Sequence, residues 1–247
     1  MRIDILTLFP EMCDAVLGES IIGRARALGK VDIRFHQIRD FAINRRGQVD
    51  DTPYGGGAGM LMMAQPIFDC FESVCQEIGA RPHLIYLSPC GKTLTQGRVK
   101  ELAETEGFAL LCGHYEGVDQ RVLDELVDEE ISVGDYVVTG GELPAMIVAD
   151  AVCRLLPGVL SAPEGYMGES HYSALLEYPQ YTKPPVWHDR EVPEVLKNGH
   201  HAKIAQWQRE QSLARTLARR PDLLEQAELT KADREFLQKL EENGAKP

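Results

Sequence analysis

The sequence predicts an α/β protein with a mostly parallel sheet, followed by a small helical tail. Three observations carry this. Short apolar or alternating runs at 2–9, 31–38, 83–88 and 108–112 have the length and pattern of strands. Helix-length stretches at 65–78, 95–104, 118–127 and 143–155 alternate with them, as the crossovers of a parallel sheet require. Beyond about residue 170 the strand-like runs cease, and two helical stretches follow.

Taken in order, Arg2-Ile3-Asp4-Ile5-Leu6-Thr7-Leu8-Phe9 alternates as a strand and Pro10 turns the chain. A mixed helical stretch covers 11–28, and 31–38 is a second strand. Residues 39–59 are polar and Gly-rich, with Tyr54-Gly55-Gly56-Gly57-Ala58-Gly59 at their end. Gln65-Pro66 opens the next helix. After the βα alternation, 131–133 and 136–139 read as short extended pieces, and 143–155 is a helix apolar on more than one stripe. Residues 157–193, rich in Pro, Gly and Tyr, read as linker and irregular structure. Helices at 201–219 and 230–242 are separated by Arg220-Pro221. The domain expectation is a catalytic body over 1–160, a linker over 161–175 and a helical tail over 176–247.

Composition narrows the class. The chain has 247 residues, 44% of them hydrophobic and 26% charged, which suits a globular core and excludes a disordered or collagenous chain. Six Cys are scattered without a Cys-x-x-Cys pair, so neither a cysteine metal site nor a redox pair is signalled, and reduced cytosolic thiols are expected. No apolar stretch of about 18 residues and no leader pattern is present, so the expectation is a cytoplasmic protein with no membrane partner. The net charge of -12 argues at first against a polyanionic partner. All of that excess lies before residue 170; the rest is neutral overall and holds both Trp and four of the seven His. The tail is therefore where nucleic-acid contacts would most plausibly sit.

Three Gly-bearing loops follow strand ends: Ser88-Pro89-Cys90-Gly91-Lys92, Cys112-Gly113-His114-Tyr115-Glu116-Gly117, and the run from Ser132-Val133-Gly134-Asp135-Tyr136 to Thr139-Gly140-Gly141-Glu142. Open α/β sheets bind ligands beyond the carboxyl ends of their strands, and glycine lets backbone groups approach closely. Three such loops converging suit a flat heterocycle with a ribose. No phosphate-loop pattern is present, nor a G-x-G-x-x-G after the first strand, so ATPase and ordinary dinucleotide-binding readings lose weight. Each loop alone is equally well a set of turn glycines. Taken singly, Glu116, Arg154, Glu169 and His114 are also ordinary surface, cap or loop residues.

The stretches 49–63, 87–96, 111–121, 132–146, 175–184 and 211–216 together make the sequence resemble the bacterial tRNA (guanine-N1)-methyltransferases of the TrmD type, in the SPOUT class of knotted methyltransferases. The resemblance implies a deep trefoil knot around the three loops, which periodicity does not reveal. It implies S-adenosylmethionine as donor, held by Tyr86, Leu87, Ser88, Pro89, Gly91, Gly113, Tyr115, Ile131, Val133, Gly134, Tyr136, Val138 and Gly140, with Gly141, Leu143 and Pro144 closing the wall. It implies tRNA as substrate, methylated on the guanosine immediately 3′ of the anticodon, and a homodimer whose active sites are shared between subunits. It implies Mg²⁺ as well, although no Asp/Glu cluster in this sequence defines an ion cage.

By the same resemblance Glu169 is the base at guanine N1, Arg154 faces O6 and Glu116 positions the target base. Candidate substrate contacts are Tyr54, Gly55, Gly56 and Gly57 for the flipped base, with Ser170 beside the base catalyst, and Arg24, Arg46, Lys183, His188 and Arg215 for phosphates. Two positions depart from the family pattern: Glu169 precedes Ser170 where Asp is commoner, and His114 stands where Arg is usual. The alternatives are a knotted methyltransferase acting on a ribose 2′-hydroxyl of another RNA, and a non-catalytic RNA-binding protein.

Overall fold

Two strands set the frame because both of their faces are covered. β1 (Arg2–Thr7) and β6 (Gly107–Cys112) are buried at every position but the first, as near-continuous apolar runs demand. They lie inside a five-stranded parallel sheet of order β2-β1-β6-β5-β7, with β2 at Asp32–Gln37, β5 at Leu84–Thr93 and β7 at Glu129–Ser132. The computed structural model describes residues 1–160, 166, 168–242 and 244. Contacts within the chain group it into two units, Met1–Ala162 and Pro163–Pro247. The expected linker, 161–175, lies partly outside the described residues, at 161–165 and 167.

Side chains leave a strand on alternate faces, and the core divides accordingly. Ile3, Ile5, Ile85, Leu87, Phe108 and Leu110 point to one side, where α1 (Pro10–Leu17), α2 (Ser20–Ala27), α4 (Gln96–Ala103) and α6 (Glu142–Cys153) supply Cys13, Ile22, Val99 and Val148. Leu6, Leu84, Tyr86, Ala109 and Leu111 point to the other, against Phe71 and Val74 of α3 (Ala64–Ile78) and Val122 of α5 (Gln120–Leu126). Local signals end the helices. Pro10 opens α1, Thr95 and Asp119 cap α4 and α5 by accepting from Arg98 and Arg121 amides, and Gly79 closes α3 in the left-handed conformation. The stretch expected as one helical segment over 11–28 is two helices, parted at Gly18-Glu19.

A second correction concerns 136–139, expected as extended. These residues form no strand; β7 stops at Ser132 at the edge of the sheet. Gly134 takes a φ of 145° and its carbonyl accepts the Tyr136 amide at 2.9 Å, so the chain turns over the strand end. The two short strands β3 (Asp50–Asp51) and β4 (Leu61–Met62) tie the ends of the Gly-rich segment together.

In the second unit, the irregular stretch contains a hairpin, β8 (Val186–Trp187) and β9 (Arg190–Glu191), whose tip residues His188 and Asp189 both have positive φ. α7 (His201–Arg219) ends before Pro221, which opens a 3-10 turn over Pro221–Glu225, and α8 (Lys231–Glu242) follows. Leu175, Leu213, Leu217 and Leu237 form their core.

Candidate active site

Beyond the carboxyl ends of β6 and β7, and beside the middle of β5 where its pairing with β7 breaks between Leu87 and Lys92, the first unit holds a cavity of about 170 Å³. The two glycine-bearing loops after β6 and β7 contribute to it; residues 88–92, expected as a loop after a strand end, continue β5 instead, and of them Ser88 and Pro89 reach the cavity. Tyr86, Leu87, Ser88 and Pro89 come from β5; Gly113, His114, Tyr115, Glu116 and Gly117 follow β6; Ile131, Ser132 and Val133 end β7; and Tyr136, Val137, Val138, Thr139, Gly140, Gly141 and Pro144 lead into α6. The loops are stitched to one another through the backbone. The Gly141 amide donates to the Gly113 carbonyl at 2.7 Å, and the Leu94 amide to that of Ser132 at 2.8 Å.

The glycines are there for closeness. A Cβ on Gly141 would stand 2.7 Å from Cys112 Cα, and one on Gly113 would stand 2.7 Å from the Tyr86 hydroxyl. Burial pushes the pKa of that hydroxyl up from its ordinary value to about 12. The wall is therefore apolar side chains interleaved with backbone amides and carbonyls, the lining that a heterocycle carrying a few polar edges needs.

Of the expected donor residues, Tyr86, Leu87, Ser88, Pro89, Gly113, Tyr115, Ile131, Val133, Tyr136, Val138, Gly140, Gly141 and Pro144 line this cavity. Three do not. Gly91 backs onto the Glu130 carbonyl on the far side of β5, beside an acidic depression. Gly134 shapes the turn beneath the Tyr136 ring. Leu143 opens on a smaller adjoining cavity with Phe9, Met12, His114 and Glu142. His114, Gly117, Ser132, Val137 and Thr139 are wall residues that the donor set omitted. Their only sequence signal is membership of the same loops.

Glu116 is exposed and sits where the Gly-rich segment meets the cavity. Its amide donates to the Met60 carbonyl, the Met62 amide donates to the Gly117 carbonyl, and its carboxylate lies so close over Gly59 that a Cβ there would collide with it. Tyr54 is fully exposed, and Gly55, Gly56 and Gly57 have positive φ with open space where side chains would be. Arg24 and Arg46 are exposed on the same unit. Arg154 is half-buried and caps the C-terminus of α6, its amide donating to the Asp150 carbonyl.

The remaining expected residues belong to the second unit. Glu169 is half-buried in a turn, its amide donating to the Tyr166 carbonyl and its own carbonyl accepting from the Tyr172 amide. The Ser170 hydroxyl accepts the Glu177 amide at 3.0 Å, and Arg215 donates to the Glu177 carbonyl at 2.8 Å. Lys183 and His188 are exposed. Among the described residues no group of three or more His, Cys, Asp or Glu is arranged to hold a metal ion, and no helix is long and apolar enough to cross a membrane.

The fold is that of a parallel α/β protein with a glycine-lined cavity beside three neighbouring strands. Residues 1–226 match the family described as tRNA (Guanine-1)-methyltransferase TrmD, and the chain belongs to that family. It is 53% identical to a tRNA (guanine-N(1)-)-methyltransferase of Ruminiclostridium cellulolyticum over 223 residues, 90% of this chain and 96% of that protein. Proteins of the same name from Alkaliphilus oremlandii and Dehalococcoides mccartyi are 53% and 49% identical, each over 245 residues. The matches cover 97% and 98% of this chain, and 98% and 99% of those proteins.

Proposed function

We propose that this chain methylates N1 of the guanosine immediately 3′ of the anticodon of tRNA, with S-adenosylmethionine as methyl donor. The observation that carries the reading is the cavity of about 170 Å³ beside β5 and beyond the ends of β6 and β7, in a chain of the tRNA (guanine-1)-methyltransferase family. Its lining fits the donor: Leu87, Pro89, Ile131, Val138 and Pro144 offer apolar contact to a purine, while the close glycines bring backbone groups to its polar edges. When bound, the donor supplies an electrophilic methyl group on a positively charged sulfur.

The protein's own residues answer the acceptor's chemistry. Guanine N1 carries a proton at neutral pH and is a poor nucleophile. Removing that proton spreads negative charge onto O6, so a base is needed at N1 and a cation at O6. Glu169 is the base, Arg154 holds the O6 charge, and Glu116 orients the target guanine beside the Gly-rich segment. Tyr54 and Gly55 to Gly57 receive the base once it has left the anticodon-loop stack. Ser170 stands beside the base catalyst, and Lys183, His188 and Arg215, with Arg24 and Arg46, hold the RNA backbone. The loops around the cavity form the trefoil knot, and the helical tail is the tRNA-binding part. Among the described residues no acidic cluster would hold Mg²⁺, and no step is assigned to that ion.

The working form is a homodimer with shared active sites. Phe9, Met12 and Val16 on and before α1, and Leu143 and Ile147 on α6, are large apolar side chains left 41–55% exposed on neighbouring helices, a face that a second copy would cover. The deciding experiment is methylation of a full set of tRNA transcripts with labelled donor, followed by mapping of the modified base. Label at N1 of the guanosine 3′ of the anticodon is the expected result; label on a ribose, or none, overturns the reading.

A further inference from the structure

In the second unit, residues 175–177 form a strap that bonds both to the turn carrying Glu169 and to helix α7. On the turn side, the His171 amide donates to the Leu175 carbonyl at 2.9 Å and the Glu177 amide to the Ser170 hydroxyl at 3.0 Å. On the helix side, the Leu176 amide donates to the Thr216 hydroxyl at 2.9 Å and Arg215 Nη1 to the Glu177 carbonyl at 2.8 Å. Leu175 anchors the strap: it is buried and packs with Leu213 and Leu217 of the same helix. Thr216 is the fixed end. It is fully buried, and its hydroxyl donates to the Ser212 carbonyl one turn back at 2.7 Å. That bond locks the hydroxyl, so its oxygen is free to accept only from the strap side. Removing the hydroxyl would leave a part-buried amide unpaired, which is costly. The turn needs such support. His171 and Ala174 both hold positive φ, at 69° and 58°, a conformation that side chains other than glycine keep only where their surroundings impose it.

We infer that Thr216 is a positioning residue for Glu169: through Leu176, Glu177 and Ser170 it sets where that carboxylate stands, and so the rate of the chemical step. This rests on the assignment of Glu169 as the base. The path is short and runs through backbone. Thr216 fixes Leu176, the amide of the next residue holds the Ser170 hydroxyl, and Ser170 is joined to Glu169 by a peptide bond. The bonds within the turn are longer, 3.2 Å from the Glu169 amide to the Tyr166 carbonyl and 3.3 Å from the Tyr172 amide to the Glu169 carbonyl. The four strap bonds, at 2.8 to 3.0 Å, are the firmer constraint. A base must lie within hydrogen-bond reach of the proton it removes, and a displacement of about 1 Å costs up to about 10²-fold in rate. A guanidinium has several N–H donors, so the Arg215 bond to Glu177 is compatible with the phosphate contact assigned to that residue.

The test is single-turnover and steady-state methylation of tRNA by the full chain carrying Thr216→Val, Thr216→Ser, Glu169→Gln, or Thr216→Val with Glu169→Gln. Valine keeps the branched shape and loses the hydroxyl; serine keeps the hydroxyl. Thr216→Val should lower kcat about tenfold or more, with KM for tRNA and calorimetric affinity for S-adenosylmethionine changed less than about twofold. Thr216→Ser should retain most of the rate. Because Thr216 acts through Glu169, Thr216→Val should cause no further loss in the Glu169→Gln background, whereas a general loss of stability would slow both proteins alike. Should the Glu169→Gln rate be too low to measure, the split between kcat and KM and the rescue by serine decide. Should Thr216→Val fail to fold, Ser170→Ala at the exposed end of the strap takes its place in the same comparison. An unchanged kcat, a loss confined to KM, a Thr216→Ser as slow as Thr216→Val, or equal losses in both backgrounds overturns the inference and leaves Glu169 as the base. Full activity in Glu169→Gln overturns the base assignment and the inference with it.

Discussion

Gly141 is the cavity-wall glycine whose missing side chain would run into backbone. A methyl group there meets Cys112 Cα at 2.7 Å and the Gly113 amide nitrogen at 2.8 Å, and backbone cannot rotate away as a side-chain end can. Gly141→Ala is therefore expected to cost about 1–3 kcal/mol in denaturant unfolding and to weaken S-adenosylmethionine binding at least tenfold by calorimetry. Unchanged donor affinity in a folded variant would remove these loops from the donor site. The proposed chemistry divides differently between two other residues. Arg154→Ala should lower the single-turnover rate about 10²-fold with donor affinity unchanged, because it acts on charge that develops during the reaction. Glu169→Gln keeps the size of the side chain and loses the proton acceptor. It should bind donor and tRNA and lose most of its turnover, whereas Glu169→Asp retains part of it, a misplacement of about 1 Å costing up to 10²-fold. Full single-turnover activity in Glu169→Gln would return that residue to an ordinary turn carboxylate.

Among the elements, α8 shows how one buried carboxylate holds a helix in place. Thr230 and Asp233 satisfy each other at its N-terminus: the Thr230 amide donates to Asp233 at 2.8 Å and the Asp233 amide donates to the Thr230 hydroxyl at 3.2 Å. Arg209 of α7 adds two hydrogen bonds to the same carboxylate, at 2.9 and 3.2 Å. The Arg209 guanidinium, against an opposing desolvation, brings the Asp233 pKa down to about 2. A carboxylate depressed below its unfolded value of about 3.9 stabilises the fold above that value and stops doing so as pH falls through about 4 to about 2. Melting followed by α-helical circular dichroism should thus show an acid-induced loss over that window that is absent in Asp233→Asn. At neutral pH that variant should already be less stable by about 1–2 kcal/mol. An identical acid profile in the variant would show that the pair contributes nothing. α6 makes a complementary point. Its sequence is apolar nearly all round, and the structure buries Ala145, Met146, Val148, Ala149, Val152 and Cys153 while leaving Leu143 and Ile147 exposed.

For the whole molecule, that exposed face leads to a prediction about assembly. Ile147→Lys places a charge where a second copy would pack, and sedimentation should shift from dimer toward monomer with methylation activity falling in parallel. A wild-type chain that sediments as an active monomer would defeat the shared-site proposal. Sharing itself can be tested in a mixed dimer of one Glu169→Gln subunit and one Gly141→Ala subunit. If Glu169 serves its partner's donor, one complete site survives; if it serves its own, both sites are broken.

Much of this architecture is legible in the residues themselves. The alternation of β1, the apolar run of β6, the caps at Thr95 and Asp119 and the break at Pro221 are short-range signals, set by backbone sterics and by which face of each element must be dry. The three Gly-bearing loops and the family motifs stand in plain order along the chain, and residues 1–226 match that family. What sequence periodicity could not decide is where those loops end up. Only the order β2-β1-β6-β5-β7 sets the middle of β5 between the ends of β6 and β7, so that Gly141 docks on Gly113 while Gly91, which continues β5, and Leu143 face elsewhere. Residues 136–139 look extended by composition, yet among the described residues no strand lies beyond β7 to pair with them, and they fold over the strand end to become cavity wall. Local structure follows from interactions within a turn or two of chain, whereas a site depends on contacts between segments far apart in sequence, and only the packed sheet sets those distances.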